Sequence, residues 1–335
     1  RRALAHYPFR AAAERIIAEY YRPAEDPERR PLKNVRTFTI EPPIPLQELT
    51  VAANFVEVFL AKEGHDGLVG INYLRKIELP IPFAIYGAML ADVDFVIVGA
   101  GNPQDIPPLM TRLARHDEVS FPLRVQGLTS KDEAVAVRFD PQDIREGKTP
   151  ELERPAFLGI VASADLAEAL AGLPDAPDGF IVEEPSAGGH NAPPRGPRQM
   201  DDLGQPVYDE RDEVDLSRLA EIGLPFWLAG SYGTPSGLAQ ALREGAAGVQ
   251  VGTAFAFCKE SGLQEDLKRK ITTQVLDGTI EVRSDWRASP TGFPFRIVQL
   301  DGTLSDETVY EDRRRVCDLG ALRMPYKTES GSIGY

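Results

Sequence analysis

Residues 224–255 read LPFWLAGSYGTPSGLAQALREGAAGVQVGTAF and carry two consecutive strand–helix units. The apolar runs Pro225–Ala229 and Gly248–Gly252 predict strands, and Ser236–Glu244 between them has apolar residues at helical spacing. Strands that are apolar on both faces and alternate with helices are typical of a parallel sheet covered by helices. This stretch therefore predicts an α/β fold.

The same alternation extends back towards the N-terminus and gives six strand–helix units in all. The strands are predicted at Gly67–Leu74, Asp94–Gly99, Phe157–Ala162, Gly179–Val182, Pro225–Ala229 and Gly248–Gly252. A (β/α)8 TIM barrel needs eight such units. We expect the N-terminal strands to be missing from this sequence, which starts at Arg1-Arg2 without Met. A doubly wound open sheet is the competing architecture, and it too would bind its ligand at the carboxyl ends of the strands.

Two additions interrupt or extend the repeating units. Ser120–Gln126 and Ala134–Phe139 alternate apolar and polar residues, which predicts a β-hairpin in an insertion at about 118–150. An irregular tail follows Val275. We therefore predict a barrel over residues 1–278 and a C-terminal extension over 279–335 that packs on it.

Charge and cysteine content indicate which kinds of molecule this protein binds. The formal net charge of −14 disfavours binding to nucleic acid or to an anionic membrane, so a small-molecule substrate is expected. No apolar run looks long enough to cross a bilayer. The two cysteines, Cys258 and Cys317, form no metal-binding pair, so we expect no metal and a reduced, cytoplasmic setting. A homodimer is left open as the assembly.

The loops after the last two predicted strands favour a phosphate site. They contain Gly230-Ser231 and Gly252-Thr253, where glycine lets backbone N–H groups approach phosphate and the hydroxyls can add donors. Each loop alone is better explained as an ordinary turn or helix cap. Their occurrence on consecutive units matches the usual phosphate site of a barrel.

A third loop, residues 183–196, follows the predicted strand at 179–182 and contains Gly188-Gly189-His190. His190 is the one histidine of four that the predicted elements place at the carboxyl ends of the strands. An imidazole there can act as a general base near neutral pH. The alternative is an exposed loop histidine without a catalytic role.

Four segments together resemble the nitronate monooxygenase (2-nitropropane dioxygenase-like) family of FMN-binding barrels. They are Gly70-Ile71-Asn72-Tyr73-Leu74, Ser186-Ala187-Gly188-Gly189-His190, Leu224–Ser231, and the most specific one, Gly245–Phe255 (GAAGVQVGTAF). The resemblance implies that His190 is catalytic, as a general base or a substrate-positioning group. It also implies a set of FMN-binding residues: Asn72, Gly188, Gly189, Gly230, Ser231, Gln250, Gly252 and Thr253.

Two departures from the family pattern concern the reaction more than the cofactor. Ser186 replaces the glutamate of the family's EAGGH motif, and the opening strand with its APM motif is absent. The resemblance predicts an FMN-dependent monooxygenase that oxidises alkyl nitronates or related carbon acids with O2. Two alternatives stay open: an FMN-dependent enoyl reductase that uses NAD(P)H on acyl-thioesters, and a barrel that binds a flavin or a partner without catalysis.

Overall fold

The computed structural model describes residues 1–23, 33–130, 132–147, 149–289, 292–315 and 323–335, so Cys317 lies outside the described part. The chain divides into two compact units. The first unit is Arg1–Leu158 with Leu319–Tyr335, and the second unit is Gly159–Asp318. The predicted domain division at 278/279 stays a prediction.

Helices and strands follow closely the bounds that periodicity predicts. The helices are α1 Arg10–Tyr20, α2 Ile44–Ala61, α3 Ile81–Leu90, α4 Ile106–Ala114, α5 Ala164–Ala171, α6 Leu216–Ile222, α7 Pro235–Arg243, α8 Thr253–Ala256, α9 Glu265–Asp277 and α10 Glu307–Asp312. The strands are β1 Gly70–Leu74, β2 Phe95–Gly99, β3 Val119–Pro122, β4 Ala136–Phe139, β5 Ala156–Val161, β6 Gly179–Glu183, β7 Gly189–His190, β8 Phe226–Ala229, β9 Gly248–Gln250, β10 Val282–Asp285, β11 Phe295–Val298, β12 Tyr326–Lys327 and β13 Ile333–Gly334.

Strand order distinguishes the two predicted architectures. In the first unit the order is β1-β2-β5, and in the second it is β5-β6-β8-β9, with β5 divided between the two units. The pairings β1–β2, β6–β8 and β8–β9 are all parallel. Within each unit the strands follow chain order without the reversal that defines a doubly wound sheet. Consecutive parallel strand–helix units are the repeat of a (β/α)8 barrel, and the described residues contain six of them.

Close helix packing builds the core of the first unit. Helix α3 is buried along nearly its whole length and lies against α2. A side chain at Gly87 would collide with the backbone carbonyl of Val51, so the two helices can approach this closely only because residue 87 is glycine. The largest fully buried side chains beside this contact are aromatic, among them Phe83 and Tyr86.

Helix α2 corrects the expectation that no apolar segment is long enough to cross a bilayer. Its 18 residues have a mean hydropathy of 1.3, which passes the test of length and composition. In this structure one face of the helix lies in the core of the first unit and buries both the polar Gln47 and Glu48 and the apolar Val51 and Phe55. The main-chain carbonyl of Pro42 accepts a hydrogen bond from Gln47.

The predicted hairpin is confirmed in the first unit. Strands β3 and β4 pair antiparallel, with Val119 opposite Phe139 and Phe121 opposite Val137. These four side chains are buried, while the intervening Ser120 and Arg138 are exposed, as the alternating sequence requires. Part of the turn, Lys131, lies outside the described residues.

In the second unit, paired apolar residues on neighbouring strands form the core. Phe180 is in register with Phe226, and Val182 with Leu228, and all four side chains are almost fully buried. The helices that follow begin at side-chain caps: Ser163 accepts from Leu166 N–H before α5, and Thr234 accepts from Gly237 N–H before α7. These caps determine where the loops after β5 and β8 end.

The chain after Val275 is not irregular throughout, which corrects the sequence prediction. Strands β10 and β11 form an antiparallel pair, and β11 also pairs with β7, the strand Gly189–His190. The isolated two-residue strand β7 carries no periodicity of its own, so this three-stranded sheet was not predicted. It brings the segment after α9 onto the loop that contains His190.

Candidate functional site

Three loops of the second unit meet at the carboxyl ends of their strands. A Cβ atom at Gly230 would lie 2.7 Å from Ser186 Oγ and 3.0 Å from Ala187 N, so the loop after β8 packs directly on the loop after β6. A Cβ atom at Gly188 would lie 3.1 Å from Thr253 Oγ1, which joins the loop after β9 to the same cluster. The predicted convergence of these loops is therefore present in the structure.

The loop after β8 is held in an unusual backbone conformation. Ser231 has a φ of 55°, a left-handed value that side chains other than glycine rarely adopt. Gly237, in the first turn of α7, has no room for a Cβ because the backbone of Tyr232 lies 2.8 Å from that position. The two glycines at 230 and 237 thus let the chain fold tightly on both sides of Ser231.

Backbone donors are available at both candidate phosphate loops. Within the described chain, the N–H groups of Ser231, Tyr232 and Gly233 donate to no protein acceptor, and neither do those of Thr253 and Ala254 in the first turn of α8. Gly252, Thr253 and Ser231 are exposed, and a Cβ at Gly252 would meet no atom within 4 Å. Unpaired donors beside open space are what an anion needs.

His190 is fixed by residues from the chain after α9. Its Nε2 atom lies 2.6 Å from Ser289 Oγ, and its ring meets Phe295 edge to face with centroids 4.7 Å apart. Phe295 is also its partner in the β7–β11 pairing. Ser289 is buried and Phe295 half-buried. The prediction that His190 is catalytic stays untested, but the histidine does lie in an ordered, half-buried position.

Asn191, the residue after His190, supports the same loop from inside. It is 1% exposed, and its Nδ2 donates to the carbonyls of Ala187 and Pro185 at 2.7 and 3.2 Å. Its own N–H donates to Pro294 O at 2.9 Å, which ties the loop to the start of β11. The side chain thus fixes the turn that precedes His190.

Glu184 and Tyr232 link two of the three loops. Tyr232 donates its hydroxyl to Glu184 Oε1 at 2.9 Å, and Glu184 N–H donates to Ala229 O at 3.1 Å. Burial raises the pKa of Glu184, and the nearby carboxylates of Glu244 and Glu213 raise it further, while the hydrogen bond from Tyr232 opposes them. Burial and the Glu184 carboxylate likewise raise the pKa of Tyr232, so its hydroxyl remains a donor.

The remaining predicted site residues lie on strands β1, β7 and β9. Gln250 is exposed at the end of β9, paired with Ala229. Gly189 has a φ of 81°, which a side chain would disfavour, and a Cβ there would lie 3.9 Å from Phe295. Asn72 is exposed in β1 of the first unit, in register with Ile97.

Sequence reasoning missed the residues that hold the site together. Asn191 and Glu184 lie in the predicted third loop, and the position of an asparagine directly after Gly-Gly-His was a usable signal. Ser289 and Phe295 lie about a hundred residues beyond His190. Only the antiparallel pairing brings them close, and a two-residue strand gives no pattern from which to predict it. Cys258 is partly exposed.

The first unit contains a cavity that none of the predicted site residues lines. In the first unit, a cavity of about 400 Å³ is bounded by α4 and the strand β3, with Arg112, Glu118 and Arg138 on its rim. Glu118 is already paired with Arg138, and its carbonyl accepts from Arg112.

The second-unit residues fit a phosphorylated flavin. Open space at Gly252, the unpaired N–H groups after β8 and the hydroxyls of Ser231 and Thr253 are suited to a phosphate group. His190 lies on the loop packed against them. The fold and this site define the class: a parallel α/β protein with barrel-type winding, in which two glycine-containing loops with unpaired backbone N–H groups lie beside a histidine.

Comparison with known proteins identifies the family. The family model for nitronate monooxygenase matches residues 113–291, just over half of the chain. The chain belongs to the nitronate monooxygenase family, which confirms the resemblance read from the motifs.

One curated relative shares a smaller region. It is (3aS,4S,5R,7aS)-5-hydroxy-7a-methyl-1-oxo-octahydro-1H-indene-4-carboxyl-CoA dehydrogenase of Mycobacterium tuberculosis (strain ATCC 25618 / H37Rv). The two chains are 30% identical over 125 residues, which is 37% of this chain and 30% of the relative. The matched region therefore spans less than a third of the relative's length.

Among solved structures, FabK from Thermotoga maritima aligns over 78% of this chain and 71% of its own, with a TM-score of 0.45 and 18% identity. A mutant of the same protein gives a TM-score of 0.44 and 20% identity over 78% of this chain and 76% of its own.

Proposed function

We propose that this protein is an FMN-dependent oxidoreductase that oxidises alkyl nitronates or related carbon acids with O2. The observation that carries the proposal is the packing of three loops, with Gly230 against Ser186 and Gly188 against Thr253, in a member of this family. In this arrangement the phosphate donors and His190 lie on loops that touch one another.

The phosphate is proposed to bind at the unpaired N–H groups of Ser231–Gly233 and of the first turn of α8, with Ser231 and Thr253 as hydroxyl donors. Gly188, Gly189, Gln250 and Asn72 complete the proposed set of flavin-binding residues. When bound, FMN supplies the electron chemistry, and the protein contributes placement and electrostatics.

His190 is proposed to take a proton from the reacting carbon of a carbon-acid substrate, or to orient an alkyl nitronate, which is already deprotonated at that carbon. Ser289, hydrogen-bonded to Nε2, and Phe295, against the ring edge, fix the direction in which the imidazole points. A general base can act only if it lies within hydrogen-bond reach of the proton that it takes, and these two contacts fix the position of the imidazole.

A second candidate is an FMN-dependent enoyl reductase acting on acyl-thioesters with NAD(P)H as reductant. It is supported by the Mycobacterium tuberculosis relative, whose name specifies a carboxyl-CoA substrate. Ser186, in place of the glutamate in the family motif, alters the loop on which His190 lies and is compatible with a different substrate. For both candidates the proposed location is the cytoplasm.

The visible absorption spectrum of the purified protein tests these proposals. We expect flavin bands, either as purified or after addition of FMN. If the protein oxidises nitronates, an alkyl nitronate should bleach the flavin in the absence of air, and O2 should restore the flavin absorbance. NADPH should then have no effect on the spectrum. Bleaching by NADPH, reversed by an enoyl-CoA, would support the reductase. A bound flavin that no donor reduces would indicate a binding protein, and a protein that takes up no FMN would refute the whole proposal.

A further inference from the structure

The hydrogen bond between Tyr232 and Glu184 connects the backbone of one candidate phosphate loop to the neighbouring loop. Tyr232 directly follows Ser231, and its hydroxyl lies 2.9 Å from Glu184 Oε1. Glu184 is anchored in turn by its N–H to Ala229 O, and its Cβ lies 3.3 Å from the position of a Cβ at Gly230. The carboxylate therefore belongs to the surface on which the phosphate loop rests.

The loop needs such support because its conformation is costly. Ser231 adopts a φ of 55°, where glycine would be unstrained and a residue with a Cβ is strained. The same conformation leaves the N–H groups of Ser231, Tyr232 and Gly233 unbonded within the described chain. A half-buried tyrosine that is hydrogen-bonded to a half-buried carboxylate can hold this arrangement before a ligand arrives.

We propose that Tyr232 and Glu184 are positioning residues for the phosphate of the flavin: their hydrogen bond preorganises the backbone donors after β8, and so gives the site its preference for FMN over unphosphorylated riboflavin. This inference rests on the proposed function and adds to it the pair of side chains that selects the phosphate. Neither side chain contacts the phosphate; each acts through the main chain of the loop. Preorganised donors bind more tightly because the ordering cost is already met in the free protein.

Four variants of the full chain separate this role from general stability. Tyr232→Phe removes the donor and keeps the ring. Glu184→Ala removes the acceptor, while Glu184→Gln keeps an amide oxygen that can still accept. Tyr208→Phe is the matched control, because Tyr208 also donates its hydroxyl, to Ala192 O at 3.0 Å, in the same unit. Dissociation constants for FMN and riboflavin are measured by quenching of flavin fluorescence, and thermal melting checks the fold.

We expect Tyr232→Phe and Glu184→Ala to weaken FMN binding about five- to tenfold, as the loss of one net hydrogen bond predicts, with riboflavin affinity unchanged. Glu184→Gln should restore the preference for FMN to within about twofold of wild type. Tyr208→Phe should leave the preference intact. The inference is overturned if Tyr232→Phe keeps the full preference, or if both flavins lose affinity together.

The wild-type protein separates failure of the inference from failure of the proposed function. If it binds both flavins equally, no phosphate preference exists and the inference fails, although flavin binding stands. If it binds neither flavin, the proposed function itself fails. Retention of the FMN preference in Tyr232→Phe, with flavin bound by wild type, refutes the inference alone.

Discussion

His190 is held from two directions, by the Ser289 hydroxyl at Nε2 and by the edge of the Phe295 ring. Both partners come from the chain beyond α9, whereas the glycines at 188 and 189 come from the histidine's own loop. Glycine lets the backbone approach a ligand, and the two partners keep the imidazole in place. Substitution of a proposed cofactor-binding residue and substitution of the proposed catalytic residue should therefore have different effects, one on FMN binding and the other on turnover.

Replacing His190 by Ala should leave FMN bound and lower turnover by roughly a hundredfold or more, the usual contribution of a general base. Steady-state kinetics together with the flavin absorbance of the purified variant measure the two effects. The matched control is His65→Ala, an exposed histidine in the first unit whose ring bonds to the carbonyl of Ala61 and accepts from Gly67 N–H. Unchanged turnover in His190→Ala would remove the histidine from the mechanism.

Gly252 and Gly262 form a second matched pair of positions. A Cβ at either one meets no atom within 4 Å, and neither has a positive φ, so leucine should fit the fold at both. Gly252→Leu should nevertheless raise the dissociation constant of FMN at least tenfold, because the side chain would fill the space proposed for the phosphate. Gly262→Leu should bind FMN normally. If Gly252→Leu melts normally and keeps its full flavin content, the phosphate-loop assignment is wrong.

At the scale of elements, the strand β7 has two residues and cannot be stable alone. It exists because β11 pairs with it, with Phe295 opposite His190 and Arg296 opposite Gly189. The hydrogen bond from Asn191 N–H to Pro294 O extends the same contact by one residue. The segment after α9 therefore determines the position of the candidate catalytic loop.

Phe295→Ala should lower turnover about two- to tenfold while FMN affinity stays the same. The expected loss follows from the 0.5–1.5 kcal/mol that an edge-to-face ring contact contributes, here to the position of His190. Val298→Ala is the control, since Val298 lies on the same strand but pairs with Val282 instead of β7. Kinetics with a saturating flavin separate the two variants. Equal losses in both would mean that the strand acts only through stability.

Regular strands and helices could be predicted from the sequence, whereas the pairing of the short strand β7 could not. Strand and helix positions followed from periods of two and 3.6 residues, so α7, Pro235–Arg243, begins and ends within one residue of the predicted helix Ser236–Glu244. The phosphate loops and His190 followed from position after those strands. The Ser289–His190 contact had no such signal, because it depends on a pairing between short strands about a hundred residues apart. The positive φ of Ser231 could not be predicted either, because serine, unlike glycine, is not a residue type that indicates a positive φ.

At the scale of the whole molecule, the chain crosses from the first unit to the second and returns at its end. Residues 323–335 belong to the first unit and contact the rest of that unit at residues 38–40 and at the hairpin insertion. Arg323 donates to Phe38 O, and the hydroxyl of Tyr335 accepts from Ile40 N–H. At the hairpin insertion, Lys327 N–H donates to Gln126 O at 2.8 Å, and its ammonium pairs with Asp132.

Acid should weaken the contact between residues 323–335 and the hairpin insertion. The Lys327 ammonium, followed by hydrogen bonds from Thr129, lowers the pKa of Asp132 from 3.8 to about 2. Because the folded pKa is depressed, the pair contributes fully above about pH 4 and is lost as the pH falls towards 2. Hydrogen exchange of the Lys327 amide, corrected for its intrinsic rate, should therefore accelerate across this window, and Asp132→Asn should already show the faster exchange at pH 6. Asp209→Asn, whose carboxyl also has a pKa of about 2 but pairs with Arg211 in the second unit, should leave Lys327 exchange unchanged. An acid-induced change of the same size in Asp132→Asn would show that another group releases the segment.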